Sequence, residues 1–215
     1  MGTRGAFGVI IGEQEKIGYN QYDSYPDGYG LQNLEWLRVA DFGSMSKLAT
    51  VALVVDNDVR RPTDAEVVNL RQFSNTSVSE QSLHDWYCLL HTTHGDIGAM
   101  LDCGYIEDAH KFPLDSLFCE WAYIVDFDTN RFEVYVGFQT EVPKQGRWAG
   151  RPTPDENRTN HLNHLANCKS QGREPYLPEV PDYKAVELLA SWSLEALPSD
   201  AEFLAQTRVP EEVEA

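Results

Sequence analysis

Apolar residues alternate with small or polar ones near the start of the chain, where Phe7, Val9 and Ile11 share one face at a spacing of two. This period is typical of a half-buried β-strand. A polar break at residues 13–15 separates the run from a second segment of the same kind. Residues 6–23 are therefore predicted to form a β-hairpin.

The strongest β pattern lies in residues 119–138. Phe132, Val134 and Val136 alternate with other residues there, and Asp128-Thr129-Asn130 has the composition of a tight turn. The preceding strand adds a large apolar face, made of Trp121, Tyr123, Val125 and Phe127. We expect this second hairpin to join the first in one antiparallel sheet.

Helical patterns alternate with these hairpins. Leucines recur at helical spacing over residues 30–41, and Thr63 with Glu66 forms a capping box. Further helices are predicted over residues 80–94 and in a short segment that ends at Gly104. With these helices packed on one face of the antiparallel sheet, the expected fold class is α+β.

The composition becomes polar and proline-rich after Gly146. A helix is predicted from Thr153 to about Ser170, because Thr153 and Pro154 are typical of a helix start. Three prolines then space an extended linker before an amphipathic helix predicted at residues 182–192.

The last predicted element is a short helix that Ser199 and Glu202 cap. A chain of 215 residues fits one main domain with an appended region. We expect an α+β core domain over residues 1–145 and a helical C-terminal extension over residues 146–215 that packs on the core.

The charge balance is strongly acidic, with 34 acidic residues against 17 lysines and arginines. Nucleic acid would be repelled by such a surface, because its binding depends on basic residues that neutralise phosphates. We therefore expect no direct nucleic-acid partner. A basic protein partner fits this charge, and so does acidity that serves solubility alone.

No apolar run reaches the length of a membrane-spanning helix, and the first residues lack the order of a secretory signal. The four cysteines stand singly in apolar or amphipathic stretches, which is typical of reduced, buried thiols. We expect a cytoplasmic protein without a membrane partner. Phosphate-binding loops and dinucleotide fingerprints are absent from the sequence, so no cofactor is expected.

A candidate binding site lies at the open end of the first hairpin. If its strands pair as predicted, Arg4 lies near Asn20 and Asp23, beside the N-terminus of the first helix. Such a corner suits a small anionic molecule, with Tyr25 as an aromatic wall and Gly28 in the turn. The alternative is purely structural: an ion pair between Arg4 and Asp23 and ordinary turn chemistry.

The same residues carry a resemblance to a known family. The chain opens Gly-Thr-Arg-Gly and continues Tyr-Asn-X-X-Asp-Ser-Tyr-Pro-X-Gly, and in both segments it resembles a family of uncharacterised proteins from bacteriophages, bacteria and some fungi. The matching residues are Gly2, Thr3, Arg4, Gly5, Tyr19, Asn20, Asp23, Ser24, Tyr25, Pro26 and Gly28. The second predicted hairpin is also similar to the closing hairpin of that family. The resemblance implies a phage or bacterial origin and supplies no established activity.

Catalysis at this corner would rest on Thr3 and Asp23. A strand near the chain terminus, followed by an Asn- and Asp-rich hairpin end, is similar to the N-terminal-nucleophile hydrolases. Removal of Met1 would leave Gly2 at the terminus, so Thr3 would need a further cleavage to become the nucleophile. If the protein is an enzyme, we expect a hydrolase.

Two side-chain sets with ligand-like spacing remain. Cys88, His91 and His94 are three residues apart on a predicted helix, where a zinc site competes with ordinary core packing. Asp56 and Asp58 form a carboxylate pair at a strand end, for which turn chemistry is a sufficient explanation.

These observations lead to two functional hypotheses. The first is an accessory protein of a phage or bacterium that binds a small anionic molecule at Arg4, Asn20, Asp23, Tyr25 and Gly28. The second is an acidic interaction module that blocks or bridges a basic protein partner, in the host cytoplasm if the protein is phage-encoded.

Overall fold

The computed structural model describes residues 3–175 and 183–209, and their fold is α+β, as predicted. The strands are β1 (Gly5–Ile11), β2 (Gln14–Asn20), β3 (Leu53–Val55), β4 (Tyr105–Glu107), β5 (Trp121–Asp126), β6 (Arg131–Val136) and β7 (Glu187–Ser193). The helices are α1 (Leu31–Val39), α2 (Phe42–Val51), α3 (Asp64–Leu70), α4 (Trp86–Leu89), α5 (Ile97–Cys103), α6 (Asp155–Ser170) and α7 (Asp200–Gln206).

Five strands form the main sheet, in the order β2-β1-β5-β6-β7. Both predicted hairpins are present, as β1–β2 and as β5–β6. They meet through a parallel pairing of β1 with β5, so the sheet is mixed rather than antiparallel throughout. The two hairpin turns are tied together because the Asp128 carboxylate accepts hydrogen bonds from the backbone N–H groups of Gly12 and Glu13.

The two faces of the sheet are covered differently. One face packs against helices α1, α2, α5 and α7, which contribute buried residues such as Leu34, Met45, Met100 and Phe203. The other face is covered by irregular segments that bring Trp148 and Val186 onto the sheet. These four helices therefore lie on one face, as the sequence pattern predicts, and the strands β1 and β5 are buried on both sides.

Local capping signals are confirmed at three helix ends. Thr63 with Glu66 and Ser199 with Glu202 form complete capping boxes at the starts of α3 and α7. Gly104 ends α5 in the left-handed conformation, with φ of 73°. Each of these ends is specified by residues within one turn, which is why the sequence suffices to place them.

The helix predicted at residues 182–192 is wrong. Glu187–Ser193 is instead the strand β7, which pairs antiparallel with β6 and forms an edge of the main sheet. Leu188, Ala190 and Trp192 alternate with the other residues, a pattern that suits a strand once the hydrogen-bonding edge of β6 is available. Of the predicted linker, spaced by Pro175, Pro178 and Pro181, all but Pro175 lies outside the described part of the chain.

The continuous helix predicted over residues 80–94 is also wrong. The segment holds one helical turn, α4, and a 3₁₀ turn at His91–Thr93. Ser79 and Gln81 have positive φ angles of 47° and 56°, which a right-handed helix does not permit.

All four cysteines are buried, as the sequence pattern predicts. The reason is positional, because each thiol lies inside a packed segment rather than facing another sulfur. Within residues 3–175 and 183–209, no helix combines the length and hydrophobicity needed to cross a bilayer.

Candidate functional site

The predicted corner is a closed hydrogen-bond network. The Thr3 hydroxyl donates to Asp23 Oδ1 over 2.6 Å and accepts from the Ser24 N–H over 2.9 Å. Asn20 Nδ2 donates to Ser24 Oγ, and Asn20 Oδ1 accepts from the Tyr22 N–H. Thr3, Asn20 and Ser24 are almost completely buried. The polar groups of this corner therefore satisfy one another, and the catalytic roles of Thr3 and Asp23 stay predictions.

The other residues of the predicted anion site surround this network without converging on a common point. Asp23 is exposed, and its carboxylate also accepts from the Tyr25 N–H. Tyr25 is 38% exposed, and Gly28 is an exposed residue of the otherwise mostly buried π-helical turn Pro26–Gly30. The Tyr25 carbonyl accepts from the N–H groups of Gly28 and Gly30, so this turn uses its own backbone donors.

Arg4 lies on the opposite side of the sheet from this network. Successive side chains of a strand point to opposite faces, so Thr3 turns toward Ser24 while Arg4 turns toward Phe118. The Arg4 guanidinium stands 5.2 Å from the centre of the Phe118 ring. Among the described residues it has no carboxylate within ion-pair distance, so the predicted ion pair with Asp23 is wrong.

The candidate metal ligands Cys88, His91 and His94 do not form a common site. The Cys88 thiol contacts the Val78 carbonyl oxygen, and burial raises its pKa. The side-chain amide of Gln21 lies 2.8 Å from His91 Nε2. Among residues 3–175 and 183–209, no group of three or more His, Cys, Asp or Glu side chains could hold a metal ion.

A cleft of about 680 Å³ opens on the Arg4 side of the sheet. The cleft is lined by residues near the ends of β2 and β4, by residues just after β3, and by the segment that follows β4. The lining residues that carry its chemistry are Arg4, Tyr19, Asp56, Asp58, Tyr87, Glu107, Asp108, His110, Lys111, Phe112, Asp115 and Phe118. Its volume falls within the ~300–1,000 Å³ of ordinary ligand sites.

Negative charge dominates the cleft, with five carboxylates against two basic side chains. Asp56, Asp58, Glu107 and Asp108 have no Lys or Arg within ion-pair distance anywhere in the described chain. Asp108 contacts the ring of His110 at 2.7 Å, and Glu107 lies 3.3 Å from His94. Because the five carboxylates outnumber the two basic side chains, the cleft keeps a net negative charge.

Aromatic rings form the walls of the cleft. Tyr19 and Phe112 meet edge to face, with their centroids 5.2 Å apart. Tyr87 donates a hydrogen bond to Gln21, and burial raises its pKa to about 12. Burial likewise raises the pKa of Tyr19, against the opposing effect of Arg4. Both phenols are thus neutral at physiological pH and present uncharged ring faces.

Sequence reasoning missed this cleft, although one signal was present. The short strands β3 and β4 pair in parallel, and each is followed at once by acids: Asp56 after β3 and Asp108 after β4. Side chains that follow parallel strands meet at the same edge of a sheet. The pairing joins two three-residue strands that are distant in sequence, which no local pattern reveals.

No protein-family model, curated protein or solved structure matches this chain. The chemistry of the cleft therefore rests on its own side chains.

Proposed function

We propose that the protein binds a cationic group, an ammonium or a guanidinium, in the acidic cleft. The observation that carries this proposal is the set of carboxylates, Asp56, Asp58, Glu107 and Asp108, which face the cleft without a Lys or Arg partner among the described residues. A bound cation would gain Coulomb energy from several carboxylates at once. The net charge of −17 adds a long-range attraction for the same ligand.

The aromatic walls support the same ligand class. A cation over a ring face gains roughly 0.5–2 kcal/mol, more as water is excluded. Arg4 over Phe118 shows that this wall accommodates a guanidinium. An outside cation has further ring surface available at Tyr19, Tyr87 and Phe112. Carboxylates and rings together are a common chemistry for the recognition of cationic groups.

The anionic ligand expected from the sequence has less support. Of the five residues proposed for it, Arg4 alone faces the cleft, and the donors of Asn20 and the π-helical turn are used internally. An anion beside Arg4 would also lie among the carboxylates of the cleft, which repel it. A basic partner, the second hypothesis from the sequence, agrees with the cleft.

The proposal also includes the origin of the protein and its location in the cell. The resemblance at Thr3, Arg4 and the Tyr-Asn segment supports a phage or bacterial accessory protein, and the buried thiols of Cys88, Cys103 and Cys119 support a cytoplasmic location. In that setting the cleft would hold a free amine or a basic side chain of a partner protein.

Three probes of one shape test the charge preference. Benzamidine, benzamide and benzoate share a phenyl ring and a planar head but differ in charge, and their binding can be followed by ¹H–¹⁵N NMR and calorimetry. We expect benzamidine to bind with a dissociation constant of about 1 mM or below, and the other two at least ~10-fold more weakly. Binding of benzoate in preference to benzamidine would restore the anionic ligand.

A matched pair of variants locates the binding. Asp58→Asn removes one cleft carboxylate and should weaken benzamidine about threefold. Asp102→Asn makes the same charge change on the exposed face of α5, outside the cleft, and should leave the affinity unchanged. Equal effects of the two variants would show that benzamidine responds to net charge and not to this cleft.

The source of the cation is tested with agmatine and a tetra-arginine peptide. A partner protein predicts that the peptide binds at least ~10-fold more tightly than agmatine, because several cleft carboxylates would each meet a guanidinium. Equal affinities favour a free amine. Measurements at low and at physiological salt separate this effect from unspecific attraction, which salt screens.

A further inference from the structure

Two histidines lie behind the wall of the cleft. His91 and His94 are 5% and 6% exposed, and they follow α4 in a tight turn. The His94 ring contacts the rings of Tyr87, His91 and Tyr19, at centroid distances of 4.9, 5.4 and 6.4 Å. Tyr19 and Tyr87 also line the cleft, so His94 is one layer behind the ligand surface.

His94 has an unusual lack of hydrogen bonds. Neither of its ring nitrogens has a hydrogen-bond partner among the described residues. Glu107 Oε2 lies 3.3 Å from Nε2, which is an ion-pair distance without hydrogen-bond alignment. An unbonded buried imidazole is costly, so its presence here calls for an explanation. Glu107 also lines the cleft, so one carboxylate lies next to both the buried His94 ring and the cleft.

The groups that face His94 leave one strong partner for a proton on its ring. Tyr19 and Tyr87 are neutral, because burial raises their pKa values. Burial, and secondarily the charge on His94, lowers the pKa of His91, so His91 stays neutral when His94 is protonated. Glu107 is the remaining titratable neighbour, and it is the carboxylate that would pair with an imidazolium at this position.

We infer that His94 is a proton-controlled competitor for Glu107, so that the cleft binds its cation at neutral pH and releases it in acid. This inference rests on the proposed function of the cleft. With His94 neutral, the Glu107 carboxylate is available to an external ammonium or guanidinium. With His94 protonated, an internal cation occupies that carboxylate and adds a positive charge behind the site, which opposes a second cation.

The test is the pH dependence of benzamidine binding in four proteins. All four carry His110→Asn, because the His110 imidazole also lines the cleft, 2.7 Å from Asp108, and the protein with this change alone serves as the wild type. We expect wild-type affinity to fall about tenfold between about pH 8 and about pH 5.5. His94→Phe keeps the ring contacts and removes the proton site, so its affinity should change less than about twofold over that range. Glu107→Gln should bind weakly and without pH dependence. His84→Phe, an exposed histidine outside the cleft, should behave as wild type.

Wild-type pH dependence that persists in His94→Phe, or in Glu107→Gln if the first variant does not fold, overturns the inference. A second readout needs no ligand: the pH dependence of the NMR signals of the His94 ring should differ between Glu107→Gln and wild type, because the carboxylate 3.3 Å from Nε2 is lost. If benzamidine fails to bind at any pH while this NMR shift occurs, the proposed function fails and the His94–Glu107 coupling stands. If the NMR titration is unchanged, the coupling itself is wrong.

Discussion

Two polar regions lie back to back on the first hairpin, and they differ in where their hydrogen bonds go. In the network of Thr3, Asn20 and Ser24, the side-chain groups bond to one another or to nearby backbone. In the cleft, carboxylates such as Asp58 and Glu107 face open volume without a Lys or Arg partner in the described residues. The polar groups of the network are therefore hydrogen-bonded within the chain, whereas the cleft carboxylates named here have no Lys or Arg partner among the described residues.

The difference separates structural from binding roles for residues that look alike in sequence. Thr3 and Arg4 are neighbours in one motif, yet Thr3 anchors a buried turn and Arg4 stands at the rim of a cleft. Buried groups that satisfy one another stabilise the fold. Charged groups that line a cleft can instead interact with a ligand. Substitutions in one region should therefore leave the other unaffected.

The largest effect is expected from Gly5→Ala, which acts on the network. A Cβ at this position would lie 2.5 Å from Ser24 Oγ and 2.7 Å from the Trp121 carbonyl oxygen. We expect a loss of about 2–3 kcal/mol in the free energy of unfolding, measured by urea denaturation. Gly28→Ala is the control, because no atom lies within 4 Å of its Cβ. If Gly5→Ala kept the wild-type free energy of unfolding, Ser24 and the backbone near Trp121 would have to shift to accommodate the added methyl group.

Removing the central amide of the network is expected to have the next largest effect. Asn20→Leu keeps the side-chain volume but loses the bonds to Ser24 and to the Tyr22 N–H. Unfolding free energy should fall by about 2 kcal/mol, because buried partners are left unsatisfied. Gln14→Leu, an exposed change on the same strand, should alter it little. If benzamidine binding fell without a loss of stability, the network would belong to the ligand site.

Arg4→Ala should change stability by less than about 0.5 kcal/mol, because Arg4 is exposed and its guanidinium has no ion pair among the described residues. The same variant should strengthen benzamidine binding about twofold, since a repelling charge leaves the cleft. Arg4→Lys, which keeps the charge, is the control for binding. A variant that unfolds would assign Arg4 to the structural region after all.

The smallest effect is expected from alkaline pH. Benzamidine affinity at about pH 9.5 should equal that at about pH 7.5 within about twofold, because burial raises the pKa values of Tyr19 and Tyr87, that of Tyr87 to about 12, and keeps both phenols neutral. Deprotonation of either phenol would add negative charge and strengthen cation binding. A rise in affinity below pH 10, measured by calorimetry, would therefore contradict these pKa shifts.

Short-range patterns predicted much of the fold correctly. Alternating residues gave both hairpins, and the capping boxes at Thr63 and Ser199 mark true helix starts. These features depend on residues within a few positions of one another, so the local sequence contains their causes. The two wrong helices lie where tertiary pairing or left-handed residues prevail, at β7 and around Gln81.

The candidate site was predictable only in part. The sequence singled out Arg4, Asn20 and the Asp56–Asp58 pair, but it placed Arg4 with Asn20 and treated the aspartates as turn residues. Strand alternation puts Arg4 on the opposite face from Thr3, as the contacts with Phe118 and Asp23 show. Register therefore decides which residues share a site.

The sequence by itself determined the α+β class, the two hairpins, the acidic charge and the caps, because propensity, alternation and composition act locally. Tertiary structure alone decided that β1 pairs in parallel with β5, that β7 closes the sheet, and that β3 and β4 bring their acids together. Those contacts join residues that are far apart along the chain. Their free energy comes from burial and pairing in the assembled sheet, which no short segment contains.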